Sequence, residues 1–420
     1  MRAPRSRLLL AVALLLGSAT AGCGKGGPRQ AGAGAPVLSA PSQSPTPPGA
    51  VGIATKNTTR LGGAEAPDDA AAVARAVYPG LTPATRPQAV VLVNERSWAA
   101  SLAASVLAGA PLGAPLLYAD GDSLPAPSAH ALAALHPTGS AALGGAQVIE
   151  IGTSAPVPGG LRVRRLALGS EPGGDQAAAV SAAVVRLLEA LSKETPRSFI
   201  VVPYEAPHSL QMPAAGLAAE SGAPILLLGA RGLTPATSSV LARAHHPSLY
   251  VVGASSLPAG AQTALASLGR VFNASGEAGT RSPTGSGEGA EAVENAIAVS
   301  RFGRGTFGWN IHEAGHGLVF VSASRPLDAP AAAPLSAHGD YAPLLLLEGA
   351  GSVPHALAHY LSNIEPGYSA AVPPVRAVYN HGWLIGDESA ISARAQAEID
   401  AALEVAPRSP SPEEAPPPSE

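Results

Sequence analysis

The chain has 420 residues, a formal net charge of −4, 46% hydrophobic residues and 13% charged residues. That length holds about two to four domains, and the apolar content argues against disorder as the default. The charge offers no basic field for nucleic acid, and aromatics at 4% leave the cores to Ala, Val and Leu.

Arg2, Arg5 and Arg7 precede an apolar run over 8–16 and small residues up to Gly22, the make-up of an export signal. The run is too short to cross a bilayer as a mature helix. Cys23 follows at once and is the only cysteine, so no disulfide within the chain is possible. Thr20-Ala21-Gly22-Cys23 resembles a bacterial lipobox, which implies lipid attachment at Cys23 and a chain held at the membrane surface. Ordinary secretory cleavage near Ala21 is the alternative. Residues 24–53 are rich in Gly, Pro, Ser and Ala and read as a disordered linker. Residues 406–420 (APRSPSPEEAPPPSE) read as a second such tail, its prolines excluding helix and sheet.

Three stretches lie between. The first, 54–159, opens with Thr58-Thr59-Arg60-Leu61-Gly62-Gly63. Asp68 and Asp69 stand at the acid-favouring start of a helix that runs over 70–77. A strand over 90–93, an amphipathic helix over 98–108, a strand over 116–118, a helix over 128–135 and a strand over 147–151 follow. The second, 160–269, leads from Arg165-Leu166 to Gly169 and then predicts helix 176–191, strand 199–202, helix 210–220, strand 225–228, helix 236–244 and strand 249–252. The third, 270–405, carries a polar Gly-rich insertion over 276–289. It continues with helix 290–301, strand 318–321, helix 329–337, strand 344–347, helix 354–364, strand 375–379 and helix 390–403. Continuous apolar runs alternating with helices argue for α/β modules with mostly parallel sheets and right-handed crossovers.

One event occurs in every stretch. Residues 109–125 (GAPLGAPLLYADGDSLP), 221–235 (SGAPILLLGARGLTP) and 339–354 (GDYAPLLLLEGAGSVP) each run from a helix end through Pro and an apolar strand to a turn and a new helix. A Pro at the first position of an edge strand loses no ladder bond. The spacing of about 110 residues is too long for a solenoid unit and suits a small α/β module. Pro115-Leu116-Leu117, Pro224-Ile225-Leu226-Leu227 and Pro343-Leu344-Leu345-Leu346, with Ser123-Leu124-Pro125, Leu233-Thr234-Pro235 and Ser352-Val353-Pro354 behind them, resemble the cell wall binding repeat 2 family. Arg60-Leu61-Gly62-Gly63 is similar to that family's opening Arg-x-x-Gly. The resemblance covers about 54–405, and it implies three Toprim-like α/β modules around a pseudo-threefold axis. It also implies non-covalent attachment of an exported protein to an anionic wall polymer, with the Pro-Leu-Leu-type segments implicated in binding.

Other residue patterns carry chemistry less directly. His312-Glu313-Ala314-Gly315-His316 matches the H-E-x-x-H zinc-protease pattern, which needs a helix to bring both imidazoles to one metal. Gly315 and Gly317 oppose that helix, and a polar loop entering a strand is the expected structure. His355 and His359 lie four apart on a predicted helix, and two ligands alone make a weak metal site. Asp120-Gly121-Asp122 follows a strand, where Toprim enzymes hold Mg²⁺ with paired acids. The matching positions of the other stretches lack acids, so a turn role is expected. Arg60, Arg96, Arg165, Arg231 and Arg325 are candidates to meet polymer phosphate or carboxylate.

The expectation is thus an α/β protein with no cofactor, metal or catalytic residue of its own, exported and lipid-anchored facing the wall. Its expected partners are an anionic wall polymer and the membrane. Signal, linker, modules and tail leave no segment for a separate enzyme domain. A solute-binding lipoprotein with a cleft between two modules is the second reading, and a metal-dependent hydrolase using His312, Glu313 and His316 the third.

Overall fold

The computed structural model of the chain describes residues 51–168, 173–276, 287–339, 341–369, 372–374 and 377–407. The chain begins with strands β1 (Val51–Ala54) and β2 (Thr58–Leu61), helix α1 (Ala66–Val77), β3 (Val90–Asn94) and α2 (Trp98–Ala104), which runs on as a 3₁₀ turn over Ser105–Ala108. Then come β4 (Leu116–Ala119), α3 (Ala126–Leu135), β5 (Val148–Ile151), β6 (Val163–Leu166), α4 (Gly173–Ser192) and β7 (Ser198–Pro203). The middle continues with α5 (His208–Gln211), α6 (Pro213–Ser221), β8 (Ile225–Leu228), α7 (Pro235–Arg243), β9 (Ser248–Val251), α8 (Ala261–Leu268) and β10 (Arg270–Asn273). The last part holds α9 (Glu288–Arg301), β11 (Gly317–Ser322), α10 (Asp328–Ala337), β12 (Leu344–Leu347), α11 (His355–Asn363), β13 (Gly367–Tyr368), β14 (His381–Ile385), α12 (Ala393–Ala402) and β15 (Ala406–Pro407).

This is an α/β fold with parallel sheets. The same strand order recurs among the described residues: β4-β3-β5-β6, β8-β7-β9-β10 and β12-β11-β14-β2. Every pairing in these three rows is parallel, and β1 adds to the third row as an antiparallel outer strand. The central strands are apolar throughout, because helices cover both faces: β3, β7 and β11 keep Val90–Val93, Phe199–Val202 and Leu318–Val321 within 1% of full burial.

The fourth strand of each row comes from elsewhere than the sequence units suggest. β6 and β10 open the second and third stretches, yet they pair with β5 and β9 of the stretch before. β2 opens the first stretch and pairs with β14 of the last, Thr58 opposite Gly382 and Leu61 opposite Ile385. Sequence units and sheets are therefore offset by one strand, and the N-terminal strand completes the C-terminal sheet.

Most strands and helices lie where the patterns put them, and the departures have physical causes. The helix expected to be amphipathic over 98–108 is buried on all sides, because its neighbours are α4, α6 and α10 as well as its own sheet. The helix over 210–220 is two, α5 and α6, with Pro213 opening the second. Of the strand expected over 375–379, residues 375 and 376 lie outside the described residues and 377–379 are irregular. The strand is β14, whose HGWLI hides its apolar character behind Gly382 and Trp383. Gly382 packs tightly there: a Cβ would sit 3.0 Å from Leu403 and 3.1 Å from the Phe320 ring, so those side chains would have to shift. β1 begins inside the expected linker, and Ala406–Pro407 of the expected tail pairs with β13.

The three stretches meet through short-side-chain helices. Ala108, Ala219 and Ala333 form one buried cluster where the end of α2, α6 and α10 converge. A Cβ on Gly109 would lie 2.1 Å from the Ala219 carbonyl oxygen, and one on Gly216 2.8 Å from Ser336 Oγ. Polar contacts tie the same junctions. Trp98 Nε1 donates to Gln211 Oε1 at 2.8 Å, Tyr118 Oη to the Leu327 carbonyl at 2.6 Å, and Asn295 Nδ2 to the Leu210 carbonyl at 2.8 Å.

Candidate functional site

The carboxyl ends of parallel strands are where α/β sheets present ligands, because the loops there are free to diverge while the strands stay fixed. At the carboxyl ends of β9 and β10, a cleft of about 780 Å³ opens against α9 and α11 of the third stretch. That volume is within the range of small-molecule sites, about 300–1,000 Å³.

The strand ends are held by a local bond. Gly253 turns the chain after β9 at φ 75°, and its N–H donates to Ser275 Oγ beyond β10 at 2.7 Å. This sets Asn273 and Ser275 beside Ala254 and Ser255 along one wall. The other wall is α9 and α11. Helix α9 places Glu291, Glu294, Asn295 and Ala298 along one face at spacings of three and four, with Arg301 and Phe302 at its end. Helix α11 places His355, His359 and Tyr360 beside them. Ser300 and Tyr360 share a hydroxyl hydrogen bond of 2.7 Å, and the Arg301 guanidinium lies 4.9 Å from the Tyr360 ring centre. Asn295 is 5% exposed, and its Oδ1 is buried with no hydrogen-bond partner among the described residues. Behind Phe302, the Tyr250 and Phe307 rings stack with centres 3.5 Å apart.

The Pro-Leu-Leu segments have a different place. Pro115, Pro224 and Pro343 stand directly before β4, β8 and β12. Leu116, Leu117, Ile225, Leu226, Leu227, Leu344, Leu345 and Leu346 lie within those strands, and all are buried. Each proline uses its carbonyl in the ladder, accepting from Val91, Ile200 and Val319 N–H at 2.9, 3.0 and 2.9 Å. These side chains offer a polymer no contact surface. They fix the turns that follow, closed at Asp120↔Ser123 and Gly229↔Gly232 in the first two rows.

The five candidate arginines divide. Arg60 is buried and donates to the Gly386 and Ile391 carbonyls and to Gln396. Arg325 is half-buried between carboxylates: it reaches Asp69 through Nη2 and Asp328 through Nε at 3.0 Å, with Asp387 4.0 Å from Nη1. Burial pushes the Asp69 carboxyl up to about 10, with the Asp328 charge adding and Arg325 opposing. Burial likewise raises Asp328 to about 6, against the pull of Arg325. One proton therefore stays in this pair at neutral pH, shared between Asp69 and Asp328, with Arg325 Nε facing Asp328 Oδ2. Arg96, Arg165 and Arg231 are exposed; Arg96 pairs with Asp120, and Arg165 with the buried Glu150 at 2.6 Å.

The remaining motifs are quickly placed. His312–His316 is an irregular loop with Gly315 at φ 112°, so no helix presents the two imidazoles together, and the loop is held by Asn380 Oδ1 accepting from the N–H of Gly315 and His316. Asp122 accepts from Ser154 N–H and Oγ at 2.9 and 2.8 Å, a turn-locking role. Among the described residues, no group of three or more His, Cys, Asp or Glu is placed to hold a metal ion. Cys23 lies outside the described residues. Of the residues singled out in sequence, His355 and His359 reach the cleft. Asn295 and Tyr360 belong to no motif; a lone carboxamide in AVENAIAVS was the one trace of Asn295.

No family model matches the chain, and no curated protein does. Among solved structures, Cwp6 from Clostridium difficile is similar, with a TM-score of 0.61 and 18% identity over 83% of this chain and 48% of that one. Cwp8 from Clostridium difficile is also similar, with a TM-score of 0.59 and 19% identity over 83% of this chain and 52% of that one. The chain thus spans about half the length of these two proteins, and at such identity what it shares with them is the fold.

Proposed function

We propose that the protein is a non-catalytic component of the cell surface that attaches non-covalently to an anionic wall polymer and is held to the membrane by a lipid on Cys23. The observation that carries this reading is the recurrence of one parallel strand order in three consecutive stretches, in a fold shared with two cell wall proteins. The tandem Toprim-like arrangement of the cell wall binding repeat 2 family accounts for both. The exposed guanidiniums of Arg96 and Arg231 stand in the turns at the carboxyl ends of β3 and β8, where a polymer phosphate or carboxylate meets a bidentate donor. The purified full chain is expected to sediment with isolated walls and to stay in solution once the anionic polymer is stripped from them. Arg96→Ala with Arg231→Ala is expected to weaken sedimentation by about tenfold. Equal sedimentation with stripped walls would overturn the polymer assignment.

One observation favours a second reading, a solute-binding lipoprotein. The cleft described above lies between two stretches of the chain, as the cleft of such a receptor does. Binding of a free small molecule, without any sedimentation, is the result that would support it.

A further inference from the structure

Residues 62–65 join the N-terminal hairpin, β1 and β2, to α1, and Gly62 and Gly63 lie against the buried Asp69 carboxyl. Gly62 turns the chain at φ 116°, and a Cβ on it would sit 1.9 Å from Asp69 Oδ1, so only bare backbone covers the group this closely. Gly63 is held from two sides. Its N–H donates to Asp69 Oδ1 at 2.8 Å, and its carbonyl accepts from Asp387 N–H at 2.9 Å and from Arg325 Nη1 at 3.4 Å. The side chains that hold this turn therefore belong to the cluster of Asp69, Asp328 and Arg325 that shares one proton.

Two carboxyls in contact inside the fold are balanced by that proton and one guanidinium. Loss of the proton leaves two negative charges facing one cation, and like charges away from water repel strongly. The neighbouring elements add mostly acids. Helix α1 brings Glu65 and Asp68, the chain after β14 brings Asp387, β4 brings the Tyr118 hydroxyl, and the chain after β3 brings Glu95 beside that hydroxyl. Arg60 on β2 is spent on the Gly386 and Ile391 carbonyls and on Gln396. Helix α3, also packed on α1, carries His130 at an exposed position. Ionised Asp69 gains water when the turn over it lifts.

We infer that Gly62-Gly63 is a proton-gated hinge: it lies shut while Asp69 and Asp328 share their proton, opens when both are ionised, and on opening loosens the N-terminal hairpin from β14. Residues 1–50 enter the fold through that hairpin, so the gate sets how firmly the preceding chain is held. The shut state binds more protons than the open one, so opening increases as pH rises. Burial that carries Asp328 to about 6 and Asp69 to about 10 places the change on the alkaline side of neutral. The hinge rests on neither the wall reading nor the lipid reading.

The test is amide hydrogen exchange on the full chain between about pH 7 and about pH 9, with and without low urea, each rate divided by that of unstructured peptide at the same pH. The N–H groups of Gly63, Gly386 and Asp387 report the hinge, because they bond Asp69, the Leu61 carbonyl and the Gly63 carbonyl. Those of Val91 and Ile200, in the central strands β3 and β7, report unfolding of the whole. The hinge amides are expected to exchange through a small opening that urea leaves unchanged, its equilibrium constant rising up to about tenfold per pH unit. Asp69→Asn keeps an acceptor for Gly63 N–H and cannot ionise, and is expected to flatten that rise. Asp328→Asn leaves Asp69 ionised beside Arg325 alone, and is expected to flatten it too. Hinge amides as sensitive to urea as Val91 and Ile200, an opening in the natural chain that ignores pH, or a rise that survives in whichever variant folds each overturns the inference.

Discussion

Asp69 and Asp328 tie the stability of the folded state to pH. Both carboxyls are buried beside Arg325, and both titrate above the ordinary value of 3.8. A raised carboxyl pKa means that the folded state holds more protons than the unfolded chain, so stability is full below about pH 4 and falls as pH rises. For Asp328 the fall ends at about 6, and for Asp69 it continues towards about 10, each with a slope of at most about 1.4 kcal/mol per pH unit. Asp328→Asn removes the second carboxylate and lets Asp69 ionise against Arg325 alone. Urea midpoints at pH 5 and pH 8 are expected to separate more for the natural chain than for this variant, and equal separations would show that the proton is held elsewhere. Sequence signalled little of this. Asp69 looked like a helix-start acid, which its position in the first turn of α1 makes it, but the partners come from a loop and helix more than 250 positions on. The cleft was legible to the same limited degree. His355 and His359 stood out as a spaced pair, while Asn295 and Tyr360 acquire meaning only when α9 and α11 meet the ends of β9 and β10.

Among the elements, the interior strands were plain in the sequence because a strand covered on both faces is a continuous apolar run. The strands at β2, β6 and β10 were not. β6 carries Arg164 and Arg165 exposed at its centre, and β10 leaves all four residues at least partly open. Their pairing is set by the neighbour's edge and not by their own apolarity. The abundance of Ala was equally silent. It looked compositional, yet at Ala108, Ala219 and Ala333 it is what lets three helices approach closely. Gly109→Ala tests that geometry, since the new Cβ would meet the Ala219 carbonyl oxygen at 2.1 Å. The expected cost is about 1–3 kcal/mol, read as a lower urea midpoint. Gly349→Ala, with nothing within 4 Å of the added carbon, is expected to leave the midpoint in place. Equal midpoints for both variants would mean that the helix contact yields without cost.

For the molecule as a whole, the offset between sequence units and sheets decides how it holds together. Deleting residues 51–61 removes β1 and β2, the burial of Leu61 and the Arg60 guanidinium that binds the Gly386 and Ile391 carbonyls and the Gln396 carboxamide, and leaves β14 as a bare edge. The expected loss is about 3 kcal/mol or more, together with self-association through the exposed edge. A peptide of residues 51–63 added in trans is expected to restore the monomer, and a deletion variant that melts like the natural chain would show that the third sheet stands without it. The three parallel rows were readable from the recurring Pro and apolar strand; which strand closes which row was not, because pairing between distant segments leaves no local pattern. The same closure sets a clock on synthesis. Arg60 leaves the ribosome early, and the carbonyl of Gly386 that it binds follows 326 residues later. The first two rows are complete in sequence long before that moment, so the nascent chain carries two finished sheets and the unpaired β1-β2 hairpin until β14 is made. The last folding event is then a long-range capture, slow for reasons of loop closure and open meanwhile to chaperone or protease.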